Sequence, residues 1–348
     1  MLSGRLWPAH PHPYRDELLS SWLVRIAHAN GLKVQTFCAQ EFGNDYQIWN
    51  RDIDRLAPVW LIETISRKTG TPLKRAWNTT LLGYEGRLYD NYHAAGQLRW
   101  ILPLQIYHRK RKGFGLQFCP VCLAEDVEPY YRRSWRVALY TFCPNHDVML
   151  LDRCQNCGNS VIFHRIELGR PNLINPMSFT SCWACGYDLR SSPSKPVEKW
   201  NDRTFQSWRK ALHLIEKGAI GRSSFDYSKL AVVHQFCALI VSIRLAPKLM
   251  LYLAEKTNQP FSPVKQGRFP FEQRAISERH YVLGLAWWLI GYWPIRLRMA
   301  WFHKAVRYNV LGKDFVTAPE WYISEINGLL EKTSGVNIPG KAGGAVLE

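Results

Sequence analysis

Seven of the nine cysteines in the sequence lie between Cys119 and Cys185, and their spacing is that of metal ligands. Cys119 and Cys122 are followed after twenty residues by Cys143 and His146, and Cys154 and Cys157 after twenty-four by Cys182 and Cys185. A C-x2-C turn brings two thiolates onto one tetrahedral Zn2+ at about 2.3 Å, and a second pair arriving from a distant turn completes the coordination. Gly158 and Gly186 directly follow the second cysteine of their pairs, where a residue without a side chain lets backbone N–H groups reach sulfur. Pro120 and Pro144 stiffen the corresponding turns of the first set. With four protein donors per set, no position is left for water or substrate, so the expectation is two structural zinc ions rather than a catalytic metal. Sequential pairing is the default, and a cross-braced arrangement joining Cys119/Cys122 to Cys154/Cys157 stays open. Buried free thiols are the bland alternative; a redox C-x2-C would want a βαβ context that the pattern lacks. Cys38 and Cys237 read as core residues, and His164 as surface.

Two basic runs are candidates for nucleic-acid contact. Arg109-Lys110-Arg111-Lys112 precedes the first cysteine pair, and Arg132, Arg133 and Arg136 sit among Tyr130, Tyr131 and Trp135. Cations interleaved with aromatics can hold phosphates while rings stack; the alternative is a solvated face with Trp135 in the core. No HExxH, GxSxG or GxGxxG motif is present, and no catalytic residue stands out. Gly335 to Lys341 mimics phosphate-loop spacing, but Ala342 stands where Mg2+ needs a hydroxyl and Pro339 removes a backbone donor. The expectation is a protein that is not an enzyme.

These residues must be positioned by a mainly helical chain. At 348 residues and 47% hydrophobic, there is sequence for two or three domains with real cores. The net charge of +17 favours polyanionic partners. Met1–Leu6 leads into proline-broken sequence rather than an apolar signal segment, and the most apolar stretches carry His234, Arg244, Lys248 or Pro294. The expectation is a cytoplasmic chain that does not engage a membrane.

Composition divides the chain into a helical helix-turn-helix domain at 1–104, a tandem zinc-binding domain at 105–192, a helical C-terminal domain at 193–332 and a flexible tail at 333–348. In the first, Asp16 is expected to cap a helix whose apolar positions from Leu18 to Ala27 recur at helical spacing, stopped by Asn30-Gly31. A second helix covers Val34–Phe42. Pro58–Lys68, the turn Thr69-Gly70-Thr71, and Pro72–Leu81 with Thr71 as cap have the outline of a helix-turn-helix unit. After Pro196, helices are predicted over Phe205–Lys217, Tyr227–Arg244, Lys248–Lys256, Glu272–Ile290, Pro294–Arg307 and Pro319–Leu330.

The residues also resemble the TniQ/TnsD family of transposon target-selection proteins. Pro11-His12-Pro13 followed by Asp16 to Arg25 and Asn30-Gly31 is similar to the family's opening helix, and Gly70 to Leu81 to its second helical pair. The most specific likeness is Phe118-Cys119-Pro120-Val121-Cys122-Leu123-Ala124-Glu125-Asp126, then Tyr131, Arg133, Trp135-Arg136, Cys143-Pro144-Asn145-His146 and Cys154-Gln155-Asn156-Cys157-Gly158. The resemblance implies a non-enzymatic adaptor that marks a target and recruits an AAA+ regulator of the TnsC type, which engages the transposase. Its address would come from an RNA-guided Cascade or Cas effector or from target DNA, and a homodimer is one of the implied forms. A sequence-specific DNA-binding protein reading an attachment site directly is the alternative. Either implies a bacterial, nucleoid-associated location.

Overall fold

The computed structural model describes residues 6–106, 113–170, 172, 176–197, 200, 202–216, 227–265, 267 and 269–334. Among them the chain is mainly α, with thirteen α-helices, several single 3-10 turns, and isolated β-bridges in place of strands. Packing groups the chain into two compact units: Met1–Tyr227 with Val264–Gly284, and Ser228–Pro263 with Leu285–Glu348.

In the first unit, α1 (Leu19–Ala29) forms because Leu19, Trp22, Leu23, Ile26 and Ala27 fall on one side, where all are buried. It stops where Asn30 folds its amide back onto the Ile26 carbonyl (2.8 Å) and Gly31 turns left-handed at φ 71°. Asp16 does not cap this helix. Extended Leu18 occupies the N-cap position without a side-chain bond, while Asp16, itself left-handed at φ 60°, accepts from Ser134 N and Arg133 Nε, both at 3.2 Å.

Helix α2 (Val34–Phe42) packs on α1, as does α3 (Ile53–Leu56), whose cap Asp52 accepts from Arg55 N. The expected hairpin is present: α4 (Val59–Thr69), left-handed Gly70 at φ 67°, and α5 (Leu73–Trp77). Its second helix is shorter than the predicted Pro72–Leu81, ending in a 3-10 turn at Leu81–Tyr84. Pro72, not Thr71, is the N-cap; the Thr71 hydroxyl instead meets Thr69 (2.9 Å) and His12 (2.7 Å).

The cysteine-rich stretch contributes α6 (Pro120–Glu125) and a series of turns pinned by single bridges such as Phe118 to Leu151 and Phe142 to Met149. It shares its core with two helices from later in the chain. Helix α7 (Asp202–Glu216) buries Phe205, Trp208, Ala211, Leu212 and Ile215, and Trp208 meets the edge of Phe142 at 5.0 Å. From α10 (Ile276–Ile290), fully buried Arg279 donates to Ala138 O and Gln117 Oε1, both at 2.9 Å. Desolvation brings its pKa down to about 10. Gly284 is required by close approach, since a Cβ there would lie 1.9 Å from the Trp200 ring. Packing therefore joins stretches that composition had parted at 104/105 and 192/193, because charge content does not report which apolar faces meet.

The second unit contains α8 (Ser228–Ile240), α9 (Leu249–Thr257), the end of α10, α11 (Ile295–Phe302), α12 (Tyr308–Leu311) and α13 (Glu320–Ser334). Phe236, Trp293 and Tyr322 gather in its core, and Cys237 is buried there as expected. The predicted Pro294–Arg307 helix breaks after Phe302, where Lys304 takes a left-handed φ of 55° before α12 begins. The expected tail and the phosphate-loop mimic from 335 onward lie outside the described residues.

Candidate metal centres and the arginine ties around them

Two clusters assemble from the eight predicted ligands, in sequential pairing: Cys119, Cys122, Cys143 and His146 in one, Cys154, Cys157, Cys182 and Cys185 in the other. Within each, every donor atom lies within 4.8 Å of the others. The cross-braced alternative is not formed. A tetrahedron with metal–sulfur bonds of about 2.3 Å has edges near 3.8 Å, slightly shorter where nitrogen replaces sulfur. Cys122 Sγ lies 3.6 Å from Cys143 Sγ, and His146 Nδ1 lies 3.3–3.6 Å from the three sulfurs. Sulfur pairs Cys154–Cys185 and Cys157–Cys182 are 3.7 and 3.6 Å apart. These are coordination edges, so both clusters can hold a metal ion.

The local backbone explains how each pair converges. Cys119 is the N-cap of α6, Pro120 takes the first turn, and Cys122 N donates to Cys119 Sγ at 3.4 Å. The other three pairs share one knuckle. Gly158 N donates to Cys154 O, Gly186 N to Cys182 O and Asp147 N to Cys143 O, at 2.9, 2.9 and 3.0 Å. All three donors are left-handed, at φ 70°, 75° and 53°. Asp147 thus fills the glycine place without being glycine, and its carboxylate pairs with Arg209.

The thiols are unbalanced without a cation. Cys119 is brought down to about 4 by its neighbours Cys122 and Cys143, while the same contacts push Cys122 far up, because the sulfurs must share protons. A dication removes that conflict by letting every thiol ionise. His146 presents Nδ1 to the cluster and points Nε2 at Glu125 Oε2, 2.8 Å away. A carboxylate behind a ligand imidazole fixes its tautomer and strengthens it as a donor. Glu125 sits one turn beyond Cys122 on α6; that helical spacing was the available signal for its role.

Residues 8–150 match the family model described as TniQ. Over that span the chain is similar to this family. No curated protein matches the chain. The matched span contains the whole first cluster and ends just before Cys154, so the second centre lies beyond it. No helix among the described residues is long and apolar enough to cross a membrane.

Inside the matched span, three of the arginines predicted to face phosphates hold carboxylates. Arg136 is 0% exposed and donates to Asp52 (2.6 and 3.1 Å), Asp54 (3.4 Å) and Leu102 O (3.0 Å). Arg133 reaches Asp16, and Arg132 holds Asp126 with two bonds at 2.7 and 3.1 Å while lying over the Tyr130 and Trp135 rings. Arg133 and Arg136 thereby tie the metal-braced segment to Asp16, Asp52 and Asp54, while Arg132 holds Asp126 within its own segment. Arg109, Lys110, Arg111 and Lys112 lie outside the described residues.

A second tie was unforeseen. Arg25, buried on α1, joins Glu17 (2.8 Å) and Glu128 (2.6 Å), and burial pushes Glu17 up to about 7 despite Arg25 beside it. A lone arginine on an otherwise apolar helix face was the sequence sign. His164, expected at the surface, is buried and stacks on Trp49 at 4.6 Å; burial, then Arg165, brings it down to about 3.

Proposed function

We propose that this protein is a non-enzymatic target-selection adaptor of a DNA transposition system, cytoplasmic and nucleoid-associated. It would link a targeting complex, either an RNA-guided Cascade or Cas effector or target DNA itself, to an AAA+ regulator of the TnsC type that recruits the transposase. The TniQ match over residues 8–150 carries this reading. The clusters support it, because four protein donors around each candidate zinc ion leave no place for a reacting group. The five-residue α5 supports docking over groove reading, since it rises only about 7.5 Å, little more than one helical turn.

The test is co-purification of the tagged chain with a candidate AAA+ ATPase of the TnsC type and a candidate effector, followed by ATPase assays on DNA. A stable complex with stimulated ATP hydrolysis is expected. A chain that neither retains nor stimulates the ATPase overturns the reading, as does metal-dependent DNA cleavage by the purified chain.

A further inference from the structure

A groove beside the first metal cluster gathers cations from separate parts of the chain, Arg132 among them. Helix α7 buries one side and turns the other outward: Gln206, Arg209, Lys210 and His213 recur at the i, i+3, i+4, i+7 spacing of a single face. That face forms one wall of this groove of about 700 Å3. The opposite wall comes from distant sequence: Arg15 before α1, Tyr130 and Arg132 of the arginine ties, and Asn145 at the tip of the first knuckle.

Two cations in this groove are uncommitted. Arg15 and Lys210 are exposed, and neither forms an ion pair among the described residues. Arg209 holds Asp147, and Arg132 holds Asp126, so these two pairs are electrically neutral and offer N–H donors rather than free cations. Two carboxylates also line the groove: Asp16 is held by Arg133 and Ser134 N, and Glu216 lies 3.7 Å from His213 of the same helix. Amide side chains of Gln206 and Asn145 supply neutral donors beside the cations.

We propose that this groove binds the sugar–phosphate backbone of a nucleic acid strand, with Arg15 and Lys210 as its two mobile phosphate contacts. Backbone contact needs cations and neutral donors along a line, with no base-edge code, and the two walls offer that combination. A rigid helix face carrying its groups one turn apart suits a polymer with a charge at every nucleotide, and the chain's +17 surplus adds long-range attraction. The choice of nucleic acid among polyanions rests on the adaptor reading above; the groove itself does not.

The experiment measures binding of fluorescein-labelled duplex DNA, single-stranded DNA and an RNA hairpin of about 30 nucleotides each, by anisotropy across a salt series. The proteins compared are the intact chain, Arg15→Gln/Lys210→Gln, and Lys248→Gln/Lys304→Gln, which removes equal charge from the second unit. For whichever probe binds, the groove variant should flatten the log–log salt slope by about 1.4 to 1.8 and weaken binding about tenfold per cation at 0.1 M salt. Its metal content and melting temperature should be unchanged. The control pair should leave the slope within about 0.5 of the intact chain. An unaltered slope in the groove variant, an equal loss in the control, or no binding of any probe overturns the proposal. None of these outcomes touches ATPase recruitment, and a failed recruitment assay leaves the slope result standing.

Discussion

Replacing Arg136 by methionine is expected to be among the most damaging single changes outside the metal ligands. Its guanidinium is wholly enclosed and satisfies two carboxylates and a carbonyl, so methionine leaves Asp54 buried with no countercharge. Breaking a buried pair by removing one partner costs about 3–5 kcal/mol. For a unit of this size that corresponds to a fall in melting temperature of roughly 6–20 °C. Acidity should partly restore the variant. Burial, partly opposed by Arg136, already raises Asp54 to about 6, whereas an unfolded aspartate titrates near 3.9. A carboxyl that binds its proton more tightly in the fold contributes stability that is present below about pH 4 and lost as pH rises toward 6. Without Arg136 that carboxyl titrates higher still, so the deficit should shrink between pH 7 and pH 5, and Arg136→Met/Asp54→Asn should recover part of it at pH 7. Calorimetric unfolding of the three proteins at both pH values is the assay. A single-variant loss under about 1 kcal/mol, or a loss that does not change with pH, would refute the claim that this ion pair is enclosed and anchors the segment.

Two further outcomes are expected from the same geometry. His164 should be neutral in the fold down to about pH 3, so its contribution is lost as pH falls below 6.5, amounting to about 2 kcal/mol at pH 5. His164→Phe should remove that acid sensitivity in urea titrations at pH 7 and pH 5, and equal slopes for the two proteins would show the ring to be solvated. Glu125→Gln should weaken metal retention at the first cluster about 10–100-fold in competition with a chelator while the second cluster is unaffected; identical retention at both would deny the carboxylate its orienting part.

Much of the fold and of the metal centres is legible in the sequence, and the legible parts have a short-range cause. Cys154-x2-Cys157-Gly158 and Cys182-x2-Cys185-Gly186 announce their knuckles because ligand, turn and left-handed glycine lie within five residues. The Leu18–Ala27 pattern announces α1 because helical burial repeats every three or four positions. The carboxylate pairings of Arg132, Arg133 and Arg136 are not legible, because an arginine beside aromatics looks the same whether it faces a phosphate or an aspartate. The partners of Arg133 and Arg136, namely Asp16, Asp52 and Asp54, lie 82 to 117 positions away, a distance no local spacing reports. Asp16 misleads for the same reason: it has the composition of a helix cap, but Ser134 N competes for its carboxylate. The α7 groove is illegible because its walls come from four separate stretches.

Two ions enclosed by protein donors alone are the foundation of the adaptor reading. Elemental analysis combined with zinc K-edge absorption on the purified native chain tests this most directly. Two zinc ions per chain are expected, their first shells together fitting seven sulfurs and one imidazole nitrogen, with zinc–sulfur distances near 2.3 Å and zinc–nitrogen near 2.0–2.1 Å. Fewer than one zinc per chain, or an oxygen donor from water in either shell, would contradict it.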